Sequence, residues 1–472
     1  MMRGNAAAAA RRDREAFMKR ILCFLTAALM LTAAASLPAH AAYNEYVDRE
    51  IELHADCVYL AGADNGEVLY EKNAGKQTHP ASLTKLATAI VVLDHCENLN
   101  EPVTVSESCI TELSYTGSSL GGLKAGETLS VYDLLCCLLL QSANEAATAL
   151  ADYITDGDRP QFVRMMNETA QALGCTDTNF VNPHGLDDDD QYTTARDTAT
   201  LLLHAMGYPA FAEISAMTSY KLPATNLQKE RTIINTNHML KKNYTDYYSP
   251  FINGGKTGTT SIAGHCVAVT ASKGGYNYVC VVLNAIMEDM DNDGVDENGA
   301  FIDAKALLNW AFDNLELKQI CDPDQIVAQV PVEFGSGRDT VGLSPAEAIY
   351  SLVPKGVGEG SLLIEPLADS LPKSVKAPVK KGDAVAAARV LYAQEEIHRI
   401  NLVAAADVKL SVFAVVGSTA RKLLSSWIFR LCAIVAICAL IVLFRRARKR
   451  AAARKNAAGY RVLNYDDFMK LK

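Results

Sequence analysis

The run from Leu423 to Phe444 constrains this chain more than any other feature. It is 22 residues long, apolar except for Arg430 and two serines, and it ends in the sequence RRARKR at Arg445 to Arg450. As a helix, such a run spans roughly 30 Å of hydrocarbon. The cations that follow it stay on the cytoplasmic side of a bilayer. Arg430 lies toward the opposite boundary, where its side chain can snorkel outward. The expected order at this end is a linker over 411–422, a single-pass anchor in membrane lipid over 423–444 and a basic cytoplasmic tail over 445–472.

The other end carries a matching signal. From Met18 the chain reads MKRILCFLTAALMLTAAASLPAHA, with Lys19 and Arg20, then an apolar run, then Ala39 and Ala41 flanking His40. That layout predicts a secretory signal over residues 1–41, cleaved after Ala41. The body between is therefore expected on the outer face of the cytoplasmic membrane. The tail from Arg445 holds ten Lys and Arg against two Asp, and residues 1–41 hold six against two, so within a net charge of −9 the body carries about −21. An acidic body excludes nucleic acid as a partner, because tracking phosphates needs clustered cations on the folded domain.

Twelve cysteines look like a disulfide framework until they are placed. Cys23 falls in the signal, and Cys432 and Cys438 in the anchor, which leaves an odd nine, so at least one external thiol is free or paired elsewhere. No CxxC occurs, and Cys136–Cys137 sit in an apolar stretch, so core packing is expected rather than zinc. No cofactor is expected.

Between the ends the texture divides in two. Val58 to Asn73 reads as a hairpin turning at Asp64-Asn65-Gly66. Ser82 to Leu93, Val131 to Ala151 and Phe162 to Leu173 are apolar at helical spacing. Cys266 to Thr270 and Tyr276 to Ala285 read as a strand pair, and Ala304 to Phe312 as a closing helix. Strands at both ends with helices between predict an α/β domain over 42–318, whose antiparallel sheet is assembled from distant pieces. From 319 to 410, short alternating runs such as IVAQVPVEF, AIYSLVP and SLLIEPL, split by Gly and Pro, predict a small all-β domain with no evident chemical cluster.

Three short motifs carry the chemistry. Ser82-Leu83-Thr84-Lys85 is an S-x-x-K in which residues three apart on a helix share a face, so the Lys85 amine reaches the Ser82 hydroxyl. Serine needs an adjacent base to act as a nucleophile, and a partly desolvated lysine can supply one. Ser142-Ala143-Asn144 offers a hydroxyl to relay a proton and an amide to bind a substrate amide. Lys256-Thr257-Gly258 precedes a strand; Lys256 and Thr257 suit a terminal carboxylate, and Gly258 permits close approach.

In this order the motifs are those of penicillin-binding proteins and class A β-lactamases. The chain resembles the D-alanyl-D-alanine carboxypeptidases among the low-mass penicillin-binding proteins from Tyr43 to Val408. The resemblance rests on HPASLTKLAT around Ser82, GSSLGGLKAGE from Gly117, QSANEAATALA from Gln141, NPHGLDDDDQYTTARD from Asn182 and GGKTGTT from Gly254. It implies a penicillin-recognising α/β domain, a β-rich second domain and a C-terminal membrane attachment. It also implies a serine-type enzyme that removes the terminal D-alanine from peptidoglycan stem pentapeptides and is inhibited by β-lactams. Ser82 is then acylated with Lys85 as base; Ser142, Asn144 and Lys256 complete the polar ring; and the N–H groups of Ser82 and Thr259 form the oxyanion hole.

The alternatives are a β-lactamase-like hydrolase, an endopeptidase or transpeptidase on cross-linked wall, and an inactive wall-binding scaffold. A lactamase needs a glutamate for its deacylating water, and no E-x-x-[LN]-N follows Asn144 at a suitable distance. His184 invites a Ser-His-Asp reading with Asp197, but Lys85 already supplies a base, so a structural hydrogen bond is expected. Asp289, Asp291, Asp293 and Gly294 copy the first half of a calcium-binding loop, yet Ala300 stands where the bidentate glutamate would be, which makes them at most a weak Ca²⁺ candidate.

Overall fold

The computed structural model describes residues 43–114, 117–290, 294–356, 362–392 and 395–458. The expected signal over 1–41 lies outside them, as do Asp291 and Asp293. Two compact units are present: the first holds the described residues up to Cys321 with Ala348–Ile364 and Arg389–Arg399, and the second holds the rest.

In the first unit a short helix, Asn44–Glu50 (α1), precedes strands Ala55–Gly62 (β1) and Val68–Lys72 (β2), which turn through Gly66 at φ 69°. A 3-10 turn over Ala81–Thr84 runs directly into Lys85–His95 (α2). Strand Pro102–Thr104 (β3), helix Glu107–Thr111 (α3) and strand Thr128–Ser130 (β4) lead to five helices: Val131–Leu140 (α4), Asn144–Thr155 (α5), Arg159–Ala172 (α6), Ala195–Met206 (α7) and Pro209–Ala216 (α8). A small pair, Ser219–Leu222 (β5) and Arg231–Ile234 (β6), precedes the long strands Ile252–Thr260 (β7), Gly264–Lys273 (β8) and Tyr276–Ala285 (β9). Met287–Glu288 (β10) pairs with Glu297–Asn298 (β11), and Gly299–Asn314 (α9) follows.

The main sheet has the order β2-β1-β9-β8-β7 and is antiparallel throughout. Chain ends meet in its middle, as the sequence pattern predicts, and β7 is left at an edge. Successive side chains of a strand point to opposite faces, and here both faces are covered. Cys57, Tyr59, Ala61, Val281 and Leu283 pack into the core under the helices, whereas Val58, Leu60, Cys280 and Val282 pack with Leu307, Leu308 and Ala311 of α9. The double burial explains why β9 reads VCVVL rather than alternating. In α2, every residue from Lys85 to Val92 is buried, so its first two turns run through the core and only its end, at Asp94 and His95, reaches solvent.

The helical run expected from Val131 to Ala151 is broken. It stops at Leu140 and restarts at Asn144, with Ser142 in the left-handed region at φ 59°. The nine cysteines between signal and anchor are all free and buried, which agrees with core packing.

A boundary at 318/319 falls inside strand Leu315–Cys321 (β12), which pairs with Ile349–Pro354 (β15). The segment AIYSLVP thus belongs with the first unit, where the Leu352 carbonyl accepts from the Tyr43 hydroxyl at 2.7 Å. Between these two strands lie Ala328–Glu333 (β13) and Thr340–Pro345 (β14); after them come Leu362–Pro366 (β16), Val375–Lys376 (β17), Ala384–Tyr392 (β18) and Glu395–Ala404 (β19). They form a six-stranded sheet in the order β16-β18-β19-β14-β13-β17, the β-rich architecture expected after the first domain.

The expected linker over 411–422 is helical. Val412–Ser425 (α10) takes in Leu423, and Trp427–Ala458 (α11) follows a break at Ser426. Among the described residues one helix, Trp427–Arg454, is long and apolar enough to cross a membrane. Arg430 lies in its first turn.

Candidate active site

The site forms where three pieces of the first unit meet: the start of α2, the break between α4 and α5, and edge strand β7. The 3-10 turn tightens the chain ahead of α2 and leaves Ser82 partly exposed above the buried Lys85. Lys85 Nζ lies 2.9 Å from Ser82 Oγ, 2.7 Å from Asn144 Oδ1 and 2.6 Å from the His184 carbonyl oxygen. Thr88 Oγ1 donates to the Pro183 carbonyl at 2.6 Å and ties that loop to α2.

The helix break supplies Ser142 and Asn144. The left-handed Ser142 costs about 1–3 kcal/mol of strain, a cost tolerated where surrounding contacts over-determine the conformation. The Ala143 N–H bonds the Cys137 carbonyl at 3.1 Å and the Asn144 N–H bonds the Ser119 carbonyl at 3.0 Å. Ser142 Oγ receives Lys256 Nζ at 3.0 Å.

Strand β7 carries the third motif in its interior, not ahead of a strand. Lys256 pairs with Ala268 and Thr259 with His265 in register with β8, and the opposite edge of β7 is open for an extended peptide. Lys256 Nζ also donates to the Thr257 carbonyl at 2.7 Å, and Thr257 Oγ1 lies 2.6 Å from Thr236 Oγ1. Gly258 allows the close approach its sequence position predicts: a Cβ there would stand 3.1 Å from the Ser82 nitrogen. Gly185, at φ +89°, is tighter still, since a Cβ would fall 1.9 Å from the Ala81 carbonyl oxygen.

The electrostatics follow from burial. Removing an ammonium from water is costly, so a buried lysine favours its neutral form. Burial pushes Lys85 well below its ordinary value; Lys256 pushes it further and Glu145 opposes. Burial alone brings Lys256 down to about 7. Two of the Lys85 partners are oxygens that can only accept, so in the neutral amine they take its two hydrogens and the lone pair faces Ser82 Oγ.

Ser82, Lys85 and Asn144 are thus joined by direct hydrogen bonds, as are Ser142 and Lys256, with Thr257 and Gly258 on the same strand as Lys256. The Thr259 hydroxyl donates to the Gly258 carbonyl at 2.7 Å and lies 3.3 Å from His265 Nδ1. His184 does not meet Asp197. Its Nδ1 accepts from the Leu186 N–H at 3.3 Å, and Asp197 instead accepts from the Asp177 N–H and Thr178 Oγ1. Asp289 accepts from the Gly294 N–H at 2.9 Å, and no cluster suited to a metal occurs among the described residues. Sequence reasoning missed the His184 carbonyl and Thr236: a backbone oxygen has no side-chain signature, and Thr236 stands in no motif.

Known proteins resemble this chain over most of its length. Residues 44–287 match the family described as D-alanyl-D-alanine carboxypeptidase, and residues 315–410 match the C-terminal domain of penicillin-binding protein 5. The chain is similar to the D-alanyl-D-alanine carboxypeptidase DacF of Bacillus subtilis (strain 168), 28% identical over 373 residues that cover 77% of this chain and 88% of the relative. It is also similar to DacC of Escherichia coli (strain K12), a protein of the same description, 32% identical over 331 residues covering 68% and 76%. Among solved structures, penicillin binding protein 5 from Haemophilus influenzae aligns with TM-score 0.59 at 26% identity, over 76% of this chain and 98% of that one. With a buried lysine against a serine hydroxyl and matches to both units, this chain belongs to the D-alanyl-D-alanine carboxypeptidase family.

Proposed function

We propose that the protein removes the terminal D-alanine from peptidoglycan stem pentapeptides, using Ser82 as nucleophile. Ser82 Oγ attacks the carbonyl of the penultimate D-alanine while the neutral Lys85 amine takes its proton. The oxyanion develops toward the N–H groups of Ser82 and Thr259, whose fixed dipoles stabilise it. The terminal carboxylate rests on Lys256 and Thr257, and Asn144 holds a substrate amide. A proton passes through Ser142 to the departing amine, D-alanine leaves, and water then hydrolyses the acyl-enzyme. A β-lactam enters by the same attack and leaves its acyl group on Ser82.

The observation that carries this reading is the 2.9 Å contact of Lys85 Nζ with Ser82 Oγ, with the amine wholly buried. The body works outside the cytoplasmic membrane, held by the single helix from Trp427, with the basic run from Arg445 on the inner side. The catalytic domain extends from about 42 to the end of β12 at Cys321, with β15 added to it, and the β-rich domain takes the remainder to about 410. Mass spectrometry of a synthetic stem pentapeptide incubated with the wild type and with Ser82→Ala tests the assignment. Loss of one D-alanine with the wild type alone is expected; equal loss with the variant overturns it.

A further inference from the structure

Glu145 follows Asn144 directly and is only 1% exposed, yet no step above uses it. Its Oε1 accepts the Leu123 N–H at 3.2 Å, and its charged form is also favoured by its own N–H and those of Gly121 and Gly122. Successive backbone N–H groups curved around an anion form a concave nest. The two glycines permit it: Gly122 lies at φ +71°, and a Cβ on Gly121 would come within 2.8 Å of the Ala143 Cβ. Oε2 is enclosed without a hydrogen-bond partner among the described residues, as is Gln141 Oε1. The Glu145 N–H and the backbone of 121–123 are therefore the polar support of this carboxylate, and burial pushes its pKa upward.

The same loop reaches the site from its other end, where the Ser119 carbonyl accepts the Asn144 N–H. Residues 119–123 thus hold the chain at two successive positions just after the strained Ser142, Asn144 through Ser119 and Glu145 through Leu123. We propose that Glu145 is a positioning residue for acylation, its carboxylate clamping residues 121–123 onto the helix break so that Ser142 and Asn144 stay aligned with Lys256 and Lys85. The clamp rests on the reading of Ser82 and Lys85 as nucleophile and base.

Glu145 also acts on Lys85 through charge. The groups facing that amine are Lys256 from β7, Glu145 from α5 and His184 from the 182–187 loop, beside the neutral Ser82 and Asn144. Glu145 favours the ammonium, Lys256 disfavours it, and the His184 ring is neutral, held at about 3 chiefly by burial. Removing the Glu145 charge therefore frees the Lys85 base at lower pH.

The full-length protein in detergent is assayed with a fluorescent penicillin, separating maximal acylation rate from apparent affinity, for wild type, Glu145→Gln, Glu145→Asp and Ser82→Ala. Hydrogen exchange is followed over 117–123. Glu145→Gln keeps shape and loses charge. It is expected to slow maximal acylation by about tenfold or more, with a smaller change in affinity, faster exchange in the loop and an acid limb displaced to lower pH. Glu145→Asp, charged but shorter, keeps the wild-type acid limb while acylating more slowly; if the glutamine variant does not fold, this rate and the loop exchange decide. A wild-type rate and pH profile in a folded Glu145→Gln, or a slowed rate without any change in loop exchange, overturns the clamp. Acylation of Ser82→Ala overturns the underlying reading instead.

Discussion

Lys256 Nζ donates to Ser142 Oγ across 3.0 Å, joining the edge strand of the sheet to the break between two helices. On the proposed mechanism the contact makes Lys256 a partner in proton transfer as well as a seat for the substrate carboxylate. Its burial then has a cost in charge, because an ammonium in that position holds its proton weakly.

The pH dependence follows from this. Lys256 must be cationic to bind a carboxylate, and burial brings it to about 7 in the free protein. The profile of kcat/KM reports the free enzyme, and that of kcat reports the complex. The alkaline limb of kcat/KM is expected near pH 7, and that of kcat higher, because a bound carboxylate raises the lysine. The acid limb belongs to Lys85, which accepts the Ser82 proton only when neutral. D-alanine release measured from about pH 5 to about pH 10 checks both, and Lys256→Arg, whose guanidinium stays charged, should lose the alkaline limb.

Two glycines separate stability from alignment. Gly185→Ala forces a side chain to 1.9 Å from a backbone oxygen at φ +89°, which costs at least about 1–3 kcal/mol. Both the denaturation midpoint and acylation should fall. Gly258→Ala places its methyl 3.1 Å from the Ser82 nitrogen without backbone strain. It should leave the midpoint nearly unchanged and slow acylation by about tenfold or more.

His184 meets Lys85 through its carbonyl, not its ring. Replacing the ring by alanine leaves the Leu186 N–H without its acceptor, for a loss of about 1 kcal/mol in urea denaturation. Because the ring is already neutral, with a pKa of about 3, the acid limb should stay where it is in His184→Ala. A displaced limb would give the imidazole a catalytic part.

Truncation after Ser411 removes both terminal helices while keeping the Gly335–Leu410 bridge and the Ser411 N–H bond to Phe334. Cell fractionation should find the truncated protein in the supernatant and the full chain in the membrane pellet, with equal labelling of Ser82 by fluorescent penicillin.

Much of this was legible in residue order. The Asn65-Gly66 turn, the apolar runs of β8 and β9, the S-x-x-K spacing and the charged end of the apolar helix each depend on neighbours within a turn or a strand. The break at Ser142 was not legible, because Val131 to Ala151 keeps helical periodicity throughout. It is imposed by contacts from Ser119 and Cys137 and by Lys256 arriving from 114 residues away. The assignment of β15 to the first unit was hidden for a similar reason: its pairing with β12 spans a stretch of intervening strands.

Sequence alone determined which groups are available, a hydroxyl one helical turn from an amine and two further polar corners, because side-chain chemistry and short-range geometry travel with the chain. Tertiary structure alone decided that the Lys85 amine is held toward its neutral form. Its lowered pKa arises from enclosure by α2, α5, β7 and the 182–187 loop, and desolvation is a property of a folded interior that no linear spacing contains.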